Sequence, residues 1–332
     1  MIGVETKSKM TDEGSQLAWI SSLRGFGALL VFLSHLAIIQ SEKIRFMFGR
    51  PGVVVFFLMT GYLGVNARIK RTRKQYLFNR FIRMYPVYWL LLFLYSIIKN
   101  SYGLKTLIWN VTMLEDFVGV EEILGASWMM PIQVGFFGLL CILTVNFLKE
   151  NKDNCIILMT MLSICALLVG LVRFVTNIPL PTAFFLLMMV GILGINFRND
   201  SVNDTEFKRN HIIWFIFEFG FNIAAFLSYR NQWFLYFIAY HFGILIFYIV
   251  KRINWSNRPL QMLGKIGFPF FLGAEIPYVL VCKFIDFNNG NLILRYIGCI
   301  VKFVLAVILA SVITKYIEKP LLNYGKKLES KL

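Results

Sequence analysis

The sequence predicts an all-α, polytopic integral membrane protein with about ten transmembrane helices and both termini on the cytoplasmic side. Three observations predict it. Hydrophobic residues make up 58% of the chain and mean hydropathy is +0.65, whereas a soluble domain rarely passes about half apolar. Charged residues are only 16%, against roughly 25% in soluble chains. Apolar runs recur from Leu17 to the C-terminus with short polar breaks, and about 20 such residues cross a bilayer.

The elements follow in order. The first 16 residues are polar and read as a cytoplasmic tail. The apolar stretch after them is too long for a signal-peptide core and lacks a small-residue cleavage site, so 17–40 reads as a retained first span. The second candidate, 52–68, is short. The third, 80–99, carries Pro86, which is expected to kink it or break its first turn. A loop at about 100–127 carries Glu115, Asp116, Glu121 and Glu122; it is acidic and partly apolar, which suits a segment that re-enters the bilayer edge. Further spans are expected at 128–148, 155–173, 180–197, 211–228, 232–251, 261–282 and 292–314. Residues 17–316 then form one transmembrane domain, and 317–332 a second cytoplasmic tail.

The loops give the orientation. Twenty-one of the 34 Lys and Arg residues fall on the side of the termini and nine on the other, a bias that marks the cytoplasmic face. The same bias explains the net charge of +16; no nucleic-acid-binding motif is present, and no nucleic-acid partner is expected. Cys141, Cys155, Cys165, Cys282 and Cys299 lack CxxC or metal-ligand spacing and read as small buried hydrophobes. No metal is expected.

Ionisable side chains inside a bilayer cost several kcal/mol, so each is a functional suspect. Arg24 and His35 stand eleven positions apart on the first span. Eleven steps of about 100° come within roughly 20° of three full turns, so both side chains share one face, about 16 Å apart along the axis. That geometry suits a site taking one substrate from each side of the membrane. The same two residues also fit an arginine snorkelling to the headgroups beside an unrelated core histidine. Gln133 and Glu275 are expected at a depth similar to His35, where an amide or carboxylate can orient a general base. A structural ion pair serves equally for Glu275, and an interhelical hydrogen bond is the favoured reading of Gln133. Glu218 and Lys302 both fall near mid-depth, and mutual pairing is their simplest account. His241 reads as a hydrogen-bonded core residue and His211 as a membrane-edge one. Arg80 and Arg83 lie three apart at the start of the third span, on one helical face. They suit bidentate phosphate contacts, beside a run from Arg68 to Lys74 that positive-inside anchoring explains by itself.

Four segments resemble the acyltransferase 3 family of membrane O-acyltransferases. Leu23-Arg24-Gly25-Phe26-Gly27-Ala28-Leu29, ending in His35, looks like the family's Arg-x10-His signature. The run from Gly52 to Leu63, with Phe56-Phe57 and Thr60-Gly61-Tyr62, is similar to its GV-x-x-FF-x-x-SG-[FY]-L segment. Tyr76-Leu77 through Arg80, Arg83 and Tyr85-Pro86 resembles YL-x-x-R-x-x-R-x-YP, and Glu318-Lys319-Pro320 resembles the closing E-[KR]-P. Three positions depart from the pattern. Ser21 stands for an Asp, Gln133 for the Glu of W-[ST]-L-x-x-E, and Ala274 for the His of YL-x-H, followed by Glu275.

The resemblance implies a multi-pass enzyme of the bacterial cytoplasmic membrane. Such an enzyme moves an acyl group, acetyl foremost, from acetyl-CoA or another acyl-CoA to a hydroxyl of a surface glycan. It implies His35 and Arg24 as catalytic residues, with Gln133 and Glu275 behind them, and Arg80, Arg83, Arg24 and Tyr85 as donor-binding residues. The implied partners are a glycan or lipid-linked polysaccharide acceptor and membrane lipids; the sequence is compatible with a homodimer and leaves the oligomeric state open. The departures fit either an unusual acceptor or weakened catalysis, and the retained Arg24, His35, Arg80 and Arg83 favour a working enzyme with an unusual acceptor. A non-enzymatic glycan exporter or flippase on the same scaffold is the alternative, and a small-solute transporter a weaker third.

Overall fold

The computed structural model describes residues 2–36, 38–143, 145, 147, 152–198, 204–285 and 292–332, with the side chains of 2–17, 116–117, 152 and 204–207 outside that description. Lys7, Lys9 and Lys149 of the charge bias lie outside it too. No strand occurs among the described residues. In chain order the α-helices are α1 (Ile2–Ser34), α2 (Glu42–Ile69), α3 (Arg73–Lys99), α4 (Leu104–Thr112), α5 (Met130–Ile142), α6 (Lys152–Thr176), α7 (Thr182–Arg198), α8 (Asp204–Tyr229), α9 (Trp233–Arg252), α10 (Arg258–Lys265), α11 (Gly267–Gly273), α12 (Glu275–Cys282), α13 (Leu292–Ile313) and α14 (Lys319–Glu329).

Each of the ten apolar segments centres on helix, but helix length and composition give a smaller number of spans. Among the described residues, five helices are long and apolar enough to cross a membrane: Glu42–Ile69, Arg73–Lys99, Asp153–Thr176, Lys208–Arg252 and Leu292–Glu329. A sixth arises if Arg258–Lys265 and Gly267–Cys282, bent by 73°, count as one. Three apolar helices, Ala18–Ser34, Ser127–Ile142 and Thr182–Arg198, are shorter. The 45-residue stretch Lys208–Arg252 holds two of the expected segments; Arg230, at φ 45°, interrupts it.

The second and third elements differ from the sequence reading. The second is not short: α2 has 28 residues and continues through Pro51. The third begins at Arg73 rather than 80, because Thr72 and Gln75 form a capping box, each satisfying an orphan amide at the helix start. Pro86 therefore lies in the helix interior. An apolar setting tolerates that, because neighbouring groups satisfy the carbonyl a proline frees.

The described chain forms two compact units, Met1–Phe56 with Ala239–Tyr316, and Phe57–Ile238 with Ile317–Leu332. In the first, α1 packs on α10. A Cβ at Gly25 would collide with the Leu260 carbonyl, and one at Gly264 with the Ser21 carbonyl, so only glycine allows this approach. The Asn257 amide donates to Ser22 Oγ at 2.9 Å while its side chain caps α10. Phe32, Phe270 and Phe303 interlock on the far part of α1, with centroids 5.1 to 5.8 Å apart.

In the second unit, α6 packs along α8 and α7. Thr182 and Ser228 share a hydrogen bond of 2.8 Å. Gly61 of α2 faces the Gly191 backbone of α7, and Gly194 faces Leu58. Gly61→Ala is expected to force these helices apart and cost about 1–3 kcal/mol, the usual range for overpacking, read as a lower melting temperature of the purified protein. An unchanged melting temperature would show that this crossing is loose.

The acidic loop is also built. Asn110 is buried; its Nδ2 donates to the carbonyls of Thr106 and Glu121, both at 2.9 Å, and its Oδ1 accepts from the Ile123 amide at 2.9 Å. Tyr88 donates to the Asn110 carbonyl at 2.8 Å. At the C-terminus, Glu318-Lys319-Pro320 spans the change from a π-turn, Thr314–Glu318, into α14. Pro320 supplies no N–H and its ring crowds the carbonyl one turn back, which favours the wider turn. The segment that reads as a C-terminal tail is thus largely a helix, and it packs on α3 with Gly325 beside Ile82.

Candidate functional site

The first unit carries His35. Helix α1 ends at Ser34, and the His35 amide donates to the Phe32 carbonyl at 3.0 Å. His35 therefore stands in the turn just past the helix, so the regular 100° step from Arg24 does not extend over its final residue. Arg24 lies on α1 proper with an exposed side chain. Its Cγ runs past Gly267 of α11.

The imidazole is half-buried and oriented. Its Nδ1 lies 2.8 Å from the Val31 carbonyl oxygen and 3.0 Å from Ser34 Oγ. A carbonyl oxygen only accepts, so Nδ1 carries the proton. In the neutral ring, Nε2 then holds the lone pair. Ser34 also donates to the Val31 carbonyl, at 2.7 Å, which fixes that acceptor in place.

Lys302 of α13 braces the same turn. It is 2% exposed. Its Nζ donates to the His35 carbonyl at 2.7 Å and makes an ion pair with Glu275 Oε1. The ammonium also lies 5.3 Å from the centroid of the Tyr278 ring, within cation–π range. Glu275 opens α12, where a helix start favours a carboxylate; its side chain is 35% exposed.

This corrects the expected partnership of Lys302 with Glu218. Glu218, in the second unit, accepts from Asn222 Nδ2 at 3.0 Å, one turn further along α8. Glu275 wins because α12 and α13 pack together. The sequence signal that would have found the pair is adjacency, since consecutive elements are usually spatial neighbours. Lys302, which the sequence singles out but pairs with Glu218, thus brings Glu275 and the His35 backbone to one atom.

The second unit carries the basic face. Arg80 of α3 lies over two rings, 4.9 Å from the Tyr76 centroid and 4.7 Å from that of Phe137 on α5. Arg83 is exposed and donates through Nε to Asn79 Oδ1 at 3.1 Å. Asn79 in turn donates to Glu329 Oε2 at 2.8 Å, and Arg71 pairs with Glu329 Oε1. Residue Glu329 of α14 therefore aligns the row from Arg71 through Asn79 to Arg83. Tyr85 stacks on Phe81, centroids 5.0 Å apart, and meets Trp89 edge-on at 5.5 Å. Gln133 of α5 donates to Thr60 Oγ1 of α2 at 3.3 Å, an interhelical hydrogen bond.

Chemically, the first unit presents an oriented imidazole with a free lone pair. The second presents guanidiniums suited to phosphate. A family model described as an acyltransferase domain matches residues 17–314. No curated protein and no solved structure matches the chain.

Proposed function

The chain belongs to the acyltransferase 3 family, and on that premise we propose that it is a membrane-bound O-acyltransferase of cell-surface polysaccharide. The donor in this reading is cytoplasmic acyl-CoA, acetyl-CoA foremost. The acceptor is a hydroxyl of a glycan on, or facing, the outer side of a bacterial cytoplasmic membrane. The observation that carries it is the His35 tautomer: Nδ1 is committed to the Val31 carbonyl, so Nε2 is the basic nitrogen.

His35 Nε2 takes the proton of the acceptor hydroxyl as its oxygen attacks the thioester carbonyl. The C–S bond breaks, the acyl group leaves on the glycan oxygen, and the CoA thiolate recovers a proton. The same nitrogen also suits a route in which His35 briefly carries the acyl group. Lys302 holds the His35 carbonyl, and Glu275 offsets the Lys302 charge. Arg24 lies along the acyl-carrying arm of the donor. Arg80 and Arg83 hold phosphates, with Tyr85 beside them. Gln133 supports the acceptor side.

The donor assignment has a direct test. Arg80→Ala with Arg83→Ala is expected to weaken acetyl-CoA binding at least about tenfold, since each hydrogen bond to a charged group contributes roughly 1.5–3 kcal/mol. Titration of acetyl-CoA into the purified full-length protein measures it. Unchanged affinity overturns the donor site.

A further inference from the structure

Arg68, in the last turn of α2, is 3% exposed. Its Nη1 donates to the Arg71 carbonyl at 2.9 Å. Its Nε is buried without a hydrogen-bond partner, and among the described residues no carboxylate pairs with it. Arg80 shares the condition: its Nε is also buried and unpartnered, between the rings of Tyr76 and Phe137. Tyr76 is 0% exposed, and its hydroxyl is buried beside the Arg80 guanidinium. Arg80 lies 4.9 Å from the centroid of the Tyr76 ring, and both guanidiniums act electrostatically on that hydroxyl.

A buried charge with no counter-charge costs several kcal/mol, and proteins pair such groups or bind an ion with them. A carboxylate is close at hand on the same face: Glu329 serves Arg71 and, through Asn79, Arg83. It leaves Arg68 and Arg80 unneutralised. The C-terminal dipole of α2 offsets part of the Arg68 charge, and the Arg71 carbonyl satisfies one of its five N–H donors. The Nε of each arginine remains.

We propose that Arg68, Arg80 and Tyr76 form a buried phosphate-binding site in which two guanidiniums and one hydroxyl donate to the same phosphate. The phosphate belongs either to the acyl-CoA donor, which rests on the function proposed above, or to an anionic lipid headgroup. Arg68 thereby moves from the basic loop that anchors the membrane face into the ligand site. Arg83, satisfied by Asn79, becomes the outer contact.

The test uses the full-length protein in nanodiscs of neutral lipid, titrated with acetyl-CoA and with S-acetylpantetheine, which lacks phosphate. Arg68→Gln is expected to weaken acetyl-CoA binding about tenfold or more and to leave S-acetylpantetheine affinity unchanged. Tyr76→Phe removes one buried hydroxyl and keeps the ring beneath Arg80, so the fold should hold; acetyl-CoA binding is expected to weaken about fivefold. It serves as the readout if Arg68→Gln fails to fold. Wild-type affinity for acetyl-CoA in Tyr76→Phe and in folded Arg68→Gln overturns the site while leaving the acyltransferase reading intact. A different result separates the sources. If the wild type ignores acetyl-CoA but melts higher in phosphatidylglycerol than in phosphatidylcholine, and both variants lose that rise, the site stands as a lipid site and the donor reading falls. No response to either acetyl-CoA or phosphatidylglycerol overturns the site.

Discussion

His35→Asn is expected to lower the acyl-transfer rate by about 10²–10⁴-fold, the usual contribution of a positioned general base, with the protein folded as before. The asparagine amide occupies the place of the Nδ1 side of the ring, so it still donates to the Val31 carbonyl that Nδ1 meets at 2.8 Å. What it lacks is Nε2. The substitution thus separates the structural half of the side chain from the basic half. Release of the CoA thiol in washed membranes reads the rate, and the melting temperature reads the fold. A rate within about threefold of wild type, at equal melting temperature, would remove His35 from the proton transfer.

Glu275→Ala carries the largest expected cost in stability. It strands the Lys302 ammonium, 2% exposed, with the His35 carbonyl and the faces of Tyr278 and Phe32. Breaking a buried pair by removing one partner typically costs about 3–5 kcal/mol. The carboxylate is 35% exposed, so water screens part of the pair and about 3 kcal/mol is expected. Adding Lys302→Met removes the stranded charge and should restore most of the loss, a coupling that a double-mutant cycle measures. Because Lys302 holds the turn that presents the imidazole, Lys302→Met alone is expected to lower kcat more than it raises KM. Glu275→Ala as stable as wild type would show that the ion pair carries no weight.

The helices were legible because lipid-facing and buried residues alike must be apolar. Run length therefore marked nearly every element, from α1 to α13. Where breaks fall was less legible. The bend between Arg258–Lys265 and Gly267–Cys282 falls at Ile266-Gly267, inside a run that reads as one apolar segment. The start of α3 depended on a capping box of Thr72 and Gln75, two polar residues in a basic loop that hydropathy alone passes over.

The site residues divide in the same way. The segments around Arg24, His35, Arg80 and Arg83 were readable as marks of the family. Glycines in the family-like segments are packing residues: Gly25 admits the Leu260 carbonyl, Gly61 the Gly191 backbone, and Gly52 the Gly27 carbonyl. Lys302 was assigned the wrong partner because two glutamates were available at similar depth, and only the packing of α12 on α13 selects Glu275. Arg68 was read as one member of a charged loop. Its burial arises from how α2 ends and turns, with its guanidinium folded back onto the Arg71 carbonyl, and residue type carries no trace of that.

The role given to His35 and Arg24 in acyl transfer is tested most directly on the glycan itself. Cells lacking the native protein would receive the wild type, His35→Ala or Arg24→Ala, matched for protein in the membrane. The O-acyl content of their surface polysaccharide would then be measured by NMR and mass spectrometry. Acyl ester on the glycan of wild-type cells, and its loss in both variants, is the expected result. Undiminished acylation in both variants would contradict it.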